Sequence, residues 1–136
     1  MRGWVKRLVL GALALVALGA GALAVYADVA EARFFRRHPP PGRLLDVGGR
    51  SIHMSCTGAG APAVVFESSL GGSSVDWYAV QPKVAAFTTA CAYDRAGAGW
   101  SDEAPLPRDP LSTAADLHAA LEKAGIAAPY VVVGHS

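Results

Sequence analysis

Residues 8–26 form nineteen consecutive positions without a charge, built from Leu, Val, Ala and Gly with a single Tyr. As a helix at about 1.5 Å per residue, such a run reaches roughly 28 Å, about the hydrocarbon thickness of a bilayer. Arg2, Lys6 and Arg7 precede it, and Trp4 and Tyr26 stand at its ends, where amphipathic rings favour the headgroup region. A buried core helix would need a large domain wrapped around it, which 136 residues do not supply. Two fates fit. A cleaved signal peptide suits the basic start and the small residues at Ala22-Leu23-Ala24 or Val25-Tyr26-Ala27. An uncleaved signal anchor suits the length, since signal-peptide cores run to about 7–15 apolar residues. Arg33, Arg36, Arg37 and Arg43 crowd the far side, so flanking charge does not set the topology. Under either fate the rest of the chain is exported, as a membrane-anchored extracytoplasmic domain or, after cleavage, a secreted one.

The formal net charge of +1 conceals an asymmetry. Residues 1–43 carry seven basic and two acidic side chains; residues 44–136 carry five basic and nine acidic. The acidic balance of the second part argues against nucleic acid as a partner. The hydrophobic fraction of 52% argues against a disordered chain. Three regions result: an anchor or signal peptide over residues 1–27, a Pro-rich juxtamembrane spacer over 28–42, and a folded part over 43–136. Within the spacer, residues 31–38 are short and amphipathic, and Pro39-Pro40-Pro41-Gly42 ends any helix.

The folded part reads as strands alternating with helices. A strand over 44–47, the Gly48-Gly49 turn and a strand over 51–57 with alternating Ile52, Met54 and Cys56 predict an antiparallel hairpin. The apolar run 63–67 fits a strand covered on both faces. Ser73 and Asp76 have capping-box spacing and open a helical stretch to about residue 86, which Pro82 must interrupt. A strand occupies 88–93. Thr113 and Asp116 repeat the cap spacing; Ala114, Leu117, Leu121 and Ala124 share a helical face, and Gly125 suits the helix terminus. Residues 130–133 are a β-branched strand running into Gly134-His135-Ser136. A hairpin followed by β-α-β-α-β implies a mostly parallel α/β sheet with right-handed crossovers, whose chemistry sits at the strands' carboxyl ends. Three such ends carry unusual residues: 68–74, 94–102 and 134–136.

Those three segments resemble the α/β-hydrolase family of the Ser-nucleophile type, over about residues 43–136. Gly134-His135-Ser136 resembles the start of the nucleophile elbow, G-x-S-x-G. Residues 93–102, Tyr-Asp-Arg-Ala-Gly-Ala-Gly-Trp-Ser-Asp, are similar to the family's loop after its fourth strand, and residues 64–77 resemble its oxyanion loop. The resemblance implies that Ser136 is the nucleophile and that the backbone N–H of Leu70 is an oxyanion donor. It implies a small-molecule or peptide-like substrate and an ester, amide or peptide-like bond cleaved through an acyl-serine. The alternatives are an acyltransferase on the same fold or a non-catalytic membrane-tethered binding domain. Where the family often has His-Gly, this chain has Ser68-Ser69; a backbone donor does not depend on that change. The family's acid and His come after the Ser in sequence. The 136 residues are therefore expected to be the inactive N-terminal part of a protein of about 250–350 residues.

The remaining candidates have plainer roles. His135 is a packing neighbour rather than the base, and His53 and His118 are structural or solvated. Asp94 and Arg95 are expected to pair and shape their loop, and Asp102 and Glu103 to be solvated. Gly97 and Gly99 lack the third glycine and the immediate helix of a dinucleotide fingerprint. No cofactor is implied, and no Cys/His spacing suggests a metal. The family's sheet order sets its second and fourth strands side by side, which makes a Cys56–Cys91 disulfide a hypothesis for an exported domain.

Overall fold

A computed structural model describes residues 2–135, and the chain divides between Pro39 and Pro40 into two units. The first is one uninterrupted helix, α1 (Arg2–Arg37). Its apolar part is long and apolar enough to cross a membrane by length and composition, with a mean hydropathy of 2.5. The helix does not stop at the end of that run. Residues 28–37 continue it, because no Gly or Pro interrupts them before Pro39. Arg36 and Arg37 occupy the last turn, where cations oppose the negative end of the helix dipole. His38 stacks on Phe34 at 4.4 Å between ring centroids, and its N–H still bonds the Phe34 carbonyl at 2.9 Å.

The second unit is built on a five-stranded mixed sheet. Its strands are β1 (Arg43–Asp46), β2 (Ser51–Thr57), β3 (Ala63–Glu67), β4 (Ala90–Tyr93) and β5 (Tyr130–Gly134), in the order β1-β2-β4-β3-β5. β1, β2 and β4 pair antiparallel; β3 runs parallel to both β4 and β5. The β1–β2 hairpin is closed by Asp46, whose carboxylate accepts the N–H groups of Gly48 and Gly49 at 2.9 and 2.8 Å. Across β2 and β4, Cys56 faces Cys91 with the Cα atoms 4.0 Å apart, and the two are joined in a disulfide.

Both faces are covered across the middle of the sheet, whereas Val131, Val132 and Val133 of β5 are exposed. On one face, Leu45, Ile52, Met54, Val65, Cys91 and Tyr93 pack beneath Ala120 and Leu121 of α3 (Pro110–Ala124). On the other, Phe66, Ala90 and Ala92 meet Trp77, Val84 and Ala85. β4 alternates Ala90 and Ala92 toward the second face with Cys91 and Tyr93 toward the first, the period-two signature of a strand.

Two expected helices are redrawn. The stretch from 73 to about 86 is a single 3-10 turn (Ser74–Trp77) and a short helix α2 (Gln81–Val84). Proline is tolerated only in the first turn of a helix, so Pro82 can begin α2 but cannot lie within a longer one. Asp76 does reach back to the Ser73 N–H, at 3.1 Å. α3 begins at Pro110 rather than near Thr113. Asp109 caps it, accepting the Ser112 N–H at 2.8 Å while its own N–H bonds Ser112 Oγ at 3.1 Å. The buried stripe of α3 includes Asp116, Ala120 and Leu121, and Ala114 is exposed. Asp116 tolerates that position because it pairs with Arg50. Gly125 closes the helix as expected.

Candidate functional site

Because β3, β4 and β5 run in one direction, their carboxyl ends emerge on one edge of the sheet. The segments 68–74, 94–102 and 134–135 therefore leave from the same side. Glu67 pairs with Gly134, so the chain departs β3 toward Leu70 and β5 toward Ser136 from adjacent positions. Ser136 itself lies outside the described residues.

A buried carboxylate holds two of these segments. Asp94 is completely inaccessible, as is His53 on the neighbouring strand. Its Oδ1 accepts the Ser74 N–H at 2.6 Å; its Oδ2 accepts from His53 Nδ1 at 2.8 Å and from the Trp100 N–H at 3.0 Å. Burying an ionised carboxylate costs several kcal/mol unless it is fully paired, and here three donors converge on it. Burial alone pushes the Asp94 carboxyl upward, but the bonds from His53, Ser74 and Trp100 outweigh it and hold the group below the usual carboxylate range. The Gly42 N–H donates to His53 Nε2 at 3.1 Å. An Nε2 that accepts and an Nδ1 that donates assign the neutral, Nδ1-protonated imidazole. Ser101 completes the cluster, its hydroxyl donating to the Asp94 carbonyl at 2.6 Å and accepting the His53 N–H at 2.8 Å. Gly99 lies so close that a Cβ would come within 2.2 Å of Asp94 Oδ2, and its φ of +51° lies in the left-handed region.

The expected Asp94–Arg95 pair is not formed. Consecutive residues at a strand end point to opposite sides, so Asp94 turns to His53 and Arg95 to Glu67, with Nε 3.3 Å from Oε1. Glu67 also accepts the Tyr93 hydroxyl. Burial first, and then that carboxylate, push the Tyr93 phenol well above its ordinary range, so its proton stays in place as the donor. Arg95 Nη2 donates in addition to the Ser69 carbonyl. Asp102 is exposed but not simply solvated, since it accepts the Ser51 N–H at 2.8 Å; Glu103 pairs with Arg108.

The loop after β3 is closed by its own polar groups. Ser68 Oγ donates to the Ser73 carbonyl at 2.6 Å and accepts Trp77 Nε1–H at 3.0 Å. Trp77 stacks on Phe66 at 4.7 Å and meets the His135 ring edge-on at 5.1 Å, so His135 is a packing neighbour as expected. Residues 69–72 form a tight turn: the Gly72 N–H bonds the Ser69 carbonyl at 2.9 Å, and Gly71 has φ +81°, as the third position of a type II turn requires. Leu70 occupies the second position, 96% exposed. Among the described residues, no acceptor meets its N–H. A cavity of about 230 Å³ opens beside it, lined by Gly71, Arg95, Gly97 and Arg108 among others. Among the described residues, no group of three or more His, Cys, Asp or Glu gathers as a metal site.

The family model described as the alpha/beta hydrolase fold matches residues 62–136. A protein of Hormonema carpetanum described as a probable transporter is 32% identical over 99 residues, which are 68% of this chain and 14% of that protein. The solved structure of the epoxide hydrolase CorEH superposes with a TM-score of 0.60 at 26% identity, over 69% of this chain and 32% of that one. Est816, described as an N-acyl homoserine lactone degrading enzyme, superposes with a TM-score of 0.64 over 69% of this chain and 36% of its own. At 24% identity that second likeness speaks to the fold alone. This chain thus spans about a third of each solved structure and 14% of the Hormonema protein.

Proposed function

This chain belongs to the α/β-hydrolase fold family, and from that premise we propose that the protein is a hydrolase that cleaves ester, amide or peptide-like bonds through an acyl-serine on Ser136. The observation that carries this reading is the pairing of Glu67 with Gly134. It starts the turn bearing the uncommitted Leu70 N–H and the segment leading to Ser136 from neighbouring points on one sheet edge.

In this reading Ser136 Oγ attacks the substrate carbonyl carbon, and its proton passes to a general base. The carbonyl oxygen takes up negative charge as the tetrahedral intermediate forms, and the Leu70 N–H donates to it. Such a donor is worth about 3–4 kcal/mol in the transition state, because it is already oriented when the charge develops. Collapse of the intermediate expels the alcohol or amine, leaving the acyl group on Ser136, and water then releases it. The family resemblance assigns the base and its orienting acid to a His and an Asp or Glu that come after Ser136 in sequence.

α1 serves as a membrane anchor or signal segment that places this chemistry outside the cytoplasm. The Cys56–Cys91 disulfide supports that reading, since such bonds persist in oxidising compartments. The test is a fluorophosphonate probe applied to a chain that includes the sequence beyond Ser136. Covalent labelling of the wild type that disappears in Ser136→Ala is the expected result. Labelling that survives the substitution, or its absence from the wild type, overturns the assignment.

A further inference from the structure

The Leu70 N–H and the Ser69 carbonyl belong to one peptide group. A peptide is planar, so whatever fixes the direction of its C=O also fixes the direction of its N–H. Two donors hold the Ser69 oxygen: the Gly72 N–H at 2.9 Å and the Arg95 guanidinium. Arg95 is itself held, because Glu67 Oε1 lies 3.3 Å from its Nε and Glu67 is tied in turn to the Tyr93 hydroxyl. A chain of contacts therefore runs from the buried Tyr93 through Glu67 and Arg95 to the peptide that presents the Leu70 N–H. Without the guanidinium that peptide would sit in an exposed turn followed by two glycines, the residues that resist rotation least.

We propose that Arg95 is a positioning residue for the oxyanion donor, orienting the Ser69–Leu70 peptide and polarising its N–H through the Ser69 carbonyl. This rests on the reading of the Leu70 N–H as that donor. Two effects act together. The guanidinium fixes the plane before charge develops on the substrate, which is what makes an oxyanion donor effective. A hydrogen bond accepted by a carbonyl also strengthens the N–H of the same amide as a donor. The planar fork of arginine spans Glu67 and the Ser69 oxygen at once, which the single ammonium of lysine cannot do. Glu67 offsets the arginine charge, so the influence on the reaction passes through the peptide it holds.

The experiment compares wild type, Arg95→Gln, Arg95→Lys, Ser136→Ala and, as a charge-loss control away from the site, Lys83→Gln on the exposed side of α2, all in the chain extended past Ser136. The readouts are the second-order rate of fluorophosphonate labelling and the ¹⁵N–¹H resonance of the Leu70 amide. Arg95→Gln is expected to slow labelling by about 10- to 100-fold and to shift the Leu70 resonance upfield. Arg95→Lys should fall between it and the wild type, and Lys83→Gln should label at the wild-type rate. Should Arg95→Gln fail to fold, Arg95→Lys decides by the same two readouts. Labelling within about twofold of wild type, or slowed labelling with an unmoved Leu70 resonance, overturns the proposal. Failure of the nucleophile reading is seen separately: either the wild type does not label or Ser136→Ala still does, and the role of Arg95 falls with it. Labelling blocked in Ser136→Ala but unimpaired in both Arg95 variants sinks the Arg95 proposal alone.

Discussion

His53 Nδ1 lies 2.8 Å from Asp94 Oδ2, and neither side chain has any accessible surface. The pair joins β2 to the segment after β4, while the second oxygen of Asp94 reaches the loop after β3 through Ser74. Three stretches of chain that are remote in sequence thus depend on one carboxylate. Asp94→Asn is nearly isosteric but replaces one acceptor oxygen with an amino group that confronts a donor. Such a change should cost about 3–5 kcal/mol, the usual result of breaking a buried charged network. Chemical denaturation with and without the substitution measures it; a loss under about 1 kcal/mol would show that the cluster relaxes around the change.

The same carboxylate shapes the response to acid. Its folded-state ionisation lies below the ordinary carboxylate value because the hydrogen bonds outweigh burial. A group shifted down on folding stabilises the fold above its unfolded value, near 3.9 for Asp, and that contribution is lost as pH falls through the lower, folded value. Stability should therefore be level above about pH 5 and decline below about pH 4. Asp46 and Asp109, held low mainly by backbone N–H groups, act in the same direction but are exposed and contribute little. Asp94→Asn should flatten the acid limb. Superimposable pH profiles for the two proteins would refute the assignment to Asp94.

Much of this cluster arises from sequence features that carry no sign of their own importance. The alternation of Ile52, Met54 and Cys56 announces a strand, but it gives no reason for His53 between them to be buried. The register supplies that reason. The antiparallel alignment that sets Cys56 against Cys91 and Met54 against Tyr93 brings His53 alongside Asp94 one step further on. The disulfide pairing, once fixed, therefore implies the His53–Asp94 pair. The succession of strands along the chain and the three loops after them are legible because β-branched runs and glycine-rich breaks are local signals, whereas the adjacency of β2 and β4 is implied only by the family resemblance. The Glu67–Arg95–Ser69 link is not, since it depends on how two loops lie across each other. The stretch after Ser73 misleads for a local reason. Its capping spacing promises a longer helix, but the missing N–H of Pro82 sets where a helix can begin.

The Cys56–Cys91 bond closes a sequence separation of 35 residues. By the chain-entropy argument a loop of that size contributes about 3–4 kcal/mol by restricting the unfolded chain. Reduction, or the double substitution Cys56→Ala with Cys91→Ala, should lower the denaturation midpoint accordingly while leaving the slope of the transition changed only through the more expanded unfolded state. Intact mass should rise by two hydrogens on reduction. No mass change in protein purified from an oxidising compartment would show that the cysteines are unpaired there.

The helix α1 spans 36 residues, about 54 Å at 1.5 Å per residue and well beyond the roughly 30 Å of a hydrocarbon core. The surplus is the charged segment that comes after Tyr26 and ends in Arg36 and Arg37. An anchored helix of this length would carry that segment clear of the acyl chains. Cleavage after Ala24 or Ala27 would instead remove the apolar run and leave the charged turns as a soluble N-terminus. The two outcomes separate cleanly. An anchor predicts that the protein stays in the membrane pellet through alkaline carbonate washing, keeps an intact residue 1–26 segment by mass, and becomes soluble when residues 1–27 are deleted. Recovery of the wild type in the soluble extracytoplasmic fraction with a new N-terminus at Val25 or Asp28 would establish the cleaved form and discard the anchor.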